Sequence, residues 1–293
     1  MKVLPLVLLS PSGVLAQPPA GGGPGGESTG EVCASDGSSF SILYSTDATS
    51  RTIATSGCPA YDWTSQSTGN DATEQDSKWK VPLNPTFCKA PTYIGAFLDN
   101  AKTTANTDIV MGPVGVAFNG VVFFGNADAQ GRDAYVYEGA TFDQCNGHTA
   151  PMGAYHYHAQ IPNDCLYTTV NATEHAPLVG FMADGIPIYG PKGDDGVVPT
   201  DLDECNGHTD STHAFYHYHV ASDYEYPYLV NCLRGKTDSS FFSNTCTEDT
   251  SVTYDYSSLT DALMETNKEA TSGSVKMTTL LWGVAVTVWC TLA

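Results

Sequence analysis

Short apolar runs, broken every few positions by glycine or polar residues, dominate this chain. Ser39 to Tyr44 and Arg51 to Thr55 alternate apolar with polar positions and are rich in β-branched residues, which predicts two short strands. Gly115 to Gly125 and Gly180 to Gly190 carry glycines at matching positions, and both are apolar between them. Asn119-Gly120 and Asp184-Gly185 sit at the centres of these runs and predict tight type I′ hairpins, with φ > 0 at both turn residues. Pro187 lacks an amide donor, so its strand is expected at a sheet edge. Asp62 to Asp76 reads as an irregular polar loop, Tyr93 to Ala101 as a short helix or a strand, and Ser258 to Glu269 as a short terminal helix. With 28 glycines and 17 prolines among such runs, the expected class is all-β: one disulfide-rich β domain with long loops.

The pattern repeats. Each hairpin run is followed by an acid-rich loop, the block Cys-Asn-Gly-His-Thr, the block Tyr-His-Tyr-His and a later cysteine. The unit recurs at roughly sixty residues, longer than a solenoid repeat. Two copies, about 112–168 and 177–235, predict an internal duplication folded about a pseudo-two-fold axis.

All eight histidines lie between His148 and His219. On a strand, alternate side chains share a face, so His156 and His158 point one way, as do His217 and His219, with Cα atoms about 6.6 Å apart. Tyr155, Tyr157, Tyr216 and Tyr218 then face the core. Neutral imidazoles at this spacing suit Cu or Zn, in one shared site or in two equivalent ones. His148 and His208 complete the expected metal set as ligands or supports. Asp143, Asp203 and Glu204 are near enough in sequence to fix a ring nitrogen. His175 and His213 have no counterpart in the other copy and read as loop residues. Asp201 to Cys205 superficially resembles the start of a calcium-binding EGF module, whose remaining cysteine spacing is missing, and Asp194-Asp195-Gly196 reads as a solvated loop.

The ends suggest export and anchorage. Lys2, the apolar Val3 to Leu9 and the small-residue Val14-Leu15-Ala16 resemble a signal peptide over 1–16. Residues 17–31 form a Pro/Gly-rich linker, 32–256 the β domain and 257–272 a stalk. The small residues Ser272-Gly273-Ser274, a short polar spacer and the apolar Met277 to Ala293 resemble a GPI-attachment signal, with 273–293 the tail expected to be removed. Eight cysteines remain outside that tail, which predicts four disulfides, with Cys145–Cys165 and Cys205–Cys232 as first choices; thiols so paired are not metal ligands. Asn171-Ala172-Thr173 is a glycosylation sequon on an expected exposed loop. A formal charge of −20, from 32 acidic against 12 basic residues, disfavours nucleic acid and anionic lipid as partners. Contact with a membrane is expected only through the anchor or tail.

The two Tyr-His-Tyr-His blocks resemble the YHYH-domain family. The matching features are Asn119-Gly120, Arg132-Asp133-Ala134, Phe142 to His148, Tyr155 to His158, Asp184 to Gly190, Asp201 to His208, Tyr216 to His219 and Tyr226 to Gly235, within a similarity spanning Arg51 to Cys246. Thr55 to Tyr61 departs from the family pattern, with Tyr61 near the place where a further histidine is usual. The resemblance implies the repeat and its boundaries; it names no activity.

Three functions compete on this reading. The first is an anchored extracellular domain that binds a divalent metal, Cu or Zn, through His156, His158, His217, His219, His148 and His208. The second is a copper-dependent oxidoreductase. The third is a non-catalytic surface module whose tyrosines stack on cell-surface glycans, for which an aromatic content of 11% gives no particular support. No nucleophile elbow or phosphate-cradling loop is present, and no catalytic residue is assigned.

Overall fold

The structure is a computed structural model, and it describes residues 28–260 except 62, 64–68, 95–109, 111 and 167–170. The expected signal peptide and GPI tail lie outside the described residues, as do nearly all of the expected terminal helix and most of the undecided segment after Tyr93.

Strands come first and predominate. β1 (Ser28–Val32), β2 (Ile42–Thr46), β3 (Ser50–Thr55), β4 (Thr73–Gln75) and β5 (Ser77–Pro82) form two small antiparallel sheets, β1-β4 and β2-β3-β5. β1 begins inside the segment expected to be linker, and β4 lies inside the expected polar loop. β6 (Phe87–Tyr93) follows.

The centre of the molecule is an eight-stranded sheet. Its strands in chain order are β7 (Pro113–Ala117), β8 (Val122–Phe124), β9 (Gly147–Thr149), β10 (Tyr155–Tyr157), β11 (Leu178–Met182), β12 (Pro187–Tyr189), β13 (Gly207–His208) and β14 (His217–His219). In space they run β13-β14-β12-β11-β7-β8-β10-β9. Each half therefore has a hairpin inside, a parallel neighbour next (β8 with β10, β12 with β14) and a short antiparallel strand outermost. The halves meet at β7 and β11, where Gly115 pairs with Met182, Val116 with Phe181 and Ala117 with Gly180. Glycine is required here for close approach: a Cβ on Gly180 would lie 2.2 Å from the Val116 carbonyl oxygen, and one on Gly115 2.7 Å from that of Phe181. β15 (Cys232–Gly235) returns to pair with β6.

The alternation fills the core as expected. Phe118, Phe123, Tyr157, Phe181, Ile186, Ile188 and Tyr218 are fully buried. Four disulfides, Cys33–Cys58, Cys88–Cys246, Cys145–Cys165 and Cys205–Cys232, include both expected within-repeat pairs.

Two expectations fail. The hairpins are not type I′: only Gly120 and Gly185 are left-handed (φ 80° and 82°), Asn119 and Asp184 are not, and the amides of Gly120 and Gly185 donate back to Ala117 and Met182. Each is a three-residue loop closed by a left-handed glycine bulge. Pro187 is not in an edge strand, because β12 lies between β11 and β14. It is tolerated as the first residue of its strand, where the lost amide costs no ladder bond.

Candidate metal centres

The first cluster grows from the antiparallel pair β9-β10, whose register sets His148 opposite His156. Alternation along β10 sends Tyr155 and Tyr157 to the core and leaves His156 and His158 on the other face. The tyrosines are held there: Tyr61 Oη lies 2.8 Å from Tyr155 Oη and 2.9 Å from Tyr157 Oη, and Asn119 Nδ2 donates to Tyr157 Oη at 3.0 Å.

On the histidine face the rings are aimed by their Nδ1 atoms. His156 Nδ1 donates to the Ala154 carbonyl at 3.1 Å and His158 Nδ1 to the Gly125 carbonyl at 2.6 Å. Thr141 Oγ1 gives its own proton to the Glu138 carbonyl, so it accepts from His148 Nδ1 at 2.7 Å. A carbonyl only accepts, which fixes the proton on Nδ1 and leaves a lone pair on Nε2. His156 Nε2 stands 2.9 Å from both His148 Nε2 and His158 Nε2. Burial and the neighbouring imidazoles push His148 down to about 3 and His156 well below its ordinary range, and burial takes His158 to about 4. At neutral pH three converging lone pairs therefore have no proton between them. Two metal bonds of 2.0–2.1 Å at a tetrahedral angle would set such nitrogens about 3.3 Å apart. Glu138, on helix α1 (Ala134–Glu138), brings Oε2 to 3.8 Å from the Nε2 atoms of His148 and His158, and burial raises its carboxyl. Phe124 stacks on His156 at 4.0 Å and Phe142 meets His148 edge-on at 4.8 Å.

The second cluster ties its Nδ1 atoms in the same way but converges on a different ring. β13-β14 sets His208 opposite His217. His217 Nδ1 donates to the Phe215 carbonyl at 3.0 Å and His219 Nδ1 to the Gly190 carbonyl at 2.6 Å. His208 Nδ1 meets the Asp201 carboxylate at 2.9 Å. His219 Nε2 lies 3.1 Å from His217 Nε2 and 3.2 Å from His208 Nε2, and burial brings His217 and His219 to about 3. Here three more groups join. His175 Nε2 is 3.4 Å from His217 Nε2, Asp210 Oδ2 is 3.7 Å from it, and the His213 ring packs 5.1 Å from the His217 ring. Tyr189, at the position of Phe124, packs against His175, His213, His217 and His219.

The six expected histidines thus fall into two trios, not one shared site. β10 and β14 are separated by β8, β7, β11 and β12, about 24 Å along the sheet at ~4.8 Å per strand. Asp143 and Asp203 do not hold the rings. They lie on the tyrosine side, accepting from Tyr155 Oη at 2.5 Å and Tyr216 Oη at 2.9 Å and from the amides of their own turns. Glu204 accepts from Tyr93 Oη. The ring-holding roles fall to Thr141, Asp201 and main-chain carbonyls. His175 and His213 are in loops, as expected, yet both reach the second cluster. Asp194 is not merely solvated: it accepts from Ser211 and Thr212 and pins the loop between Asp210 and His213. Asp201 is occupied by His208, and Asp203 accepts from the amides of its own turn. The four motif tyrosines are buried and offer no face to a sugar.

Sequence reasoning missed Glu138, Thr141 and Asp210. For Asp210 a signal existed. The two Cys-Asn-Gly-His-Thr blocks are identical, and the next residue is Ala150 in one and Asp210 in the other.

Residues 78–198 match the family model described as YHYH protein, so this stretch carries a YHYH domain. The match is narrower than the Arg51 to Cys246 similarity expected; it includes His148, His156, His158 and His175 and ends before His208. No curated protein and no solved structure matches the chain.

Proposed function

We propose that this chain is an extracellular metal-binding protein, in which His148, His156 and His158 hold one transition-metal ion and His208, His217 and His219 hold another. One observation carries the reading: in each trio Nδ1 is tied to an acceptor while the three Nε2 lone pairs converge to within 2.9–3.2 Å of a neighbour. Lone pairs brought this close repel unless a cation lies among them. All-imidazole donors with a carboxylate at the margin suit Cu or Zn. Four disulfides support an oxidising compartment, and among the described residues no helix is long and apolar enough to cross a membrane. Export by residues 1–16, a glycan on the exposed Asn171 and attachment through a GPI anchor near Ser272 belong to the same proposal.

The test is metal content of protein purified from an oxidising host. Wild type should carry stoichiometric Cu or Zn. His156→Ala/His158→Ala should lose the first ion alone and His217→Ala/His219→Ala the metal of the second half. Equal metal in all three proteins, or none in any, overturns the proposal.

A copper oxidoreductase is the second reading, favoured by Tyr189, whose phenol is packed against four imidazoles of the second cluster and could carry one-electron chemistry. It requires ascorbate-dependent O₂ consumption by the copper-loaded protein that Tyr189→Phe reduces; no turnover above free copper ends it.

A further inference from the structure

We infer that the second half holds a two-metal centre, in which Asp210 bridges an ion on His208, His217 and His219 to a neighbouring ion on His175 and His213. This rests on the reading that the clusters bind transition metals at all.

Asp210 is the pivot. Its side chain is 7% exposed. Oδ1 accepts from the His213 amide at 2.7 Å. Oδ2 is buried with no hydrogen-bond partner, yet it faces the Nε2 atoms of His175 at 3.2 Å, His217 at 3.7 Å and His208 at 3.8 Å. His175 Nδ1 meets the Ala176 carbonyl at 2.7 Å, so its Nε2 presents a lone pair to the carboxylate. A buried carboxylate oxygen among lone pairs is costly without positive charge. A single proton on His175 would answer Asp210 alone. It would leave His213 Nδ1, which is also buried and without a hydrogen-bond partner, unanswered.

One ion cannot serve all these donors. Bonds of about 2.1 Å limit donors around one centre to about 4.2 Å apart. The donors form two compact sets, one with His175, Asp210, His213 and His217, the other with His208, Asp210, His217 and His219. Asp210 and His217 belong to both; the single Nε2 lone pair of His217 serves one ion, so only the carboxylate can bridge ions about 3.5–4 Å apart. The first half forms a single set, His148, His156 and His158, and has Ala150 where the second has Asp210. Asp194 ties Ser211 and Thr212, which orders the loop that delivers Asp210 and His213.

The experiment counts metal. Protein with intact disulfides is stripped by chelator, reloaded with Zn(II) or Cu(II), desalted and measured for ions per chain. Wild type should retain three and His175→Ala/His213→Ala two. The copper-loaded wild type should give one isolated Cu(II) resonance, from the first half, plus a pair whose signal is broadened or silenced by coupling. Two ions in wild type, both kept by His175→Ala/His213→Ala, overturn the bridged pair and leave one ion per half standing. No metal, or metal unaffected by any histidine change including His156→Ala/His158→Ala, overturns both readings. Three ions with three isolated Cu(II) resonances overturn the bridge. The wild-type count and resonance decide the matter even where a variant fails to fold.

Discussion

Asn119 and Asp184 occupy the same place in the two central hairpins and meet equivalent tyrosines. Asn119 donates to Tyr157 Oη at 3.0 Å, whereas Asp184 accepts from Tyr218 Oη at 2.8 Å and also from the Gly235 amide at 3.0 Å. The hydrogen bond is conserved in position and reversed in direction. Tyr157 is consequently free to meet Tyr61, and Tyr218 instead accepts from the Arg234 amide at 2.7 Å. At this position the first half has a neutral amide and the second a buried carboxyl. The same contrast recurs on the histidine face, where Thr141 supports His148 and Asp201 supports His208, and where Ala150 stands opposite Asp210. A shared backbone scheme thus positions two similar imidazole trios, pivoting on His156 in one and on His219 in the other, while single differences around each trio make the second half the more anionic. Under the two-metal proposal, that difference is what would let similar frames serve different numbers of cations.

The comparison breaks most completely at its seam. Gly180→Val puts side-chain atoms into the Val116 backbone, and the expected result is loss of the folded state, a cost above about 3 kcal/mol, read by circular dichroism and soluble yield. Gly115→Val should be the milder of the two, since its nearest contact is longer.

Acidity separates the halves next. Burial raises Asp184 from 3.8 to about 6. A carboxyl whose folded pKa is raised binds its proton more tightly in the folded state. Its contribution is therefore complete below about pH 4 and is lost as pH climbs through about 6. Two units correspond to about 3 kcal/mol. Melting of wild type against Asp184→Asn from pH 4 to 7 should show wild type losing stability relative to the variant as pH rises. A constant difference would contradict the assignment. Asn119→Ala should add no such pH-dependent difference, because Asn119 does not titrate.

Chelation sharpens the contrast between clusters. With free metal at about a hundred times its dissociation constant, an ion stabilises the fold by about 2.7 kcal/mol. Removing metal should lower the melting temperature of wild type more than that of either double-histidine variant. The supports of the rings give the smallest effects. Thr141→Val and Asp201→Ala should each weaken metal binding in their own half by about tenfold. Asp201 is 71% exposed, so its effect should fade at high salt while that of Thr141 persists; titration at two ionic strengths checks this.

Much of the frame is legible in local pattern. Glycine spacing marks the hairpins, and period-two alternation of Tyr and His assigns phenols to the core and imidazoles to the opposite face. Cysteines beside each block find their partners within the same half. What escapes is non-local. The turn type depends on how each hairpin meets its neighbours, so Asn-Gly and Asp-Gly alone misassign it. Pro187 reads as an edge signal only until β14 is known to pair beside it. His175 and Asp210 lie 35 positions apart by their numbering, and only folding sets them 3.2 Å apart. Glu138 gives no signal at all, because a lone acid ending a short helix resembles any solvated one.

The large sheet ends in β9 and β13, strands of three and two residues. So little exposed ladder offers a poor template for a second chain. The outermost histidines, His148 and His208, sit on these same strands, so a cation held as proposed by each trio would also clamp the ladder shut. On that proposal, stripping the metal would loosen both margins together and leave the sheet's two ends the first places to fray.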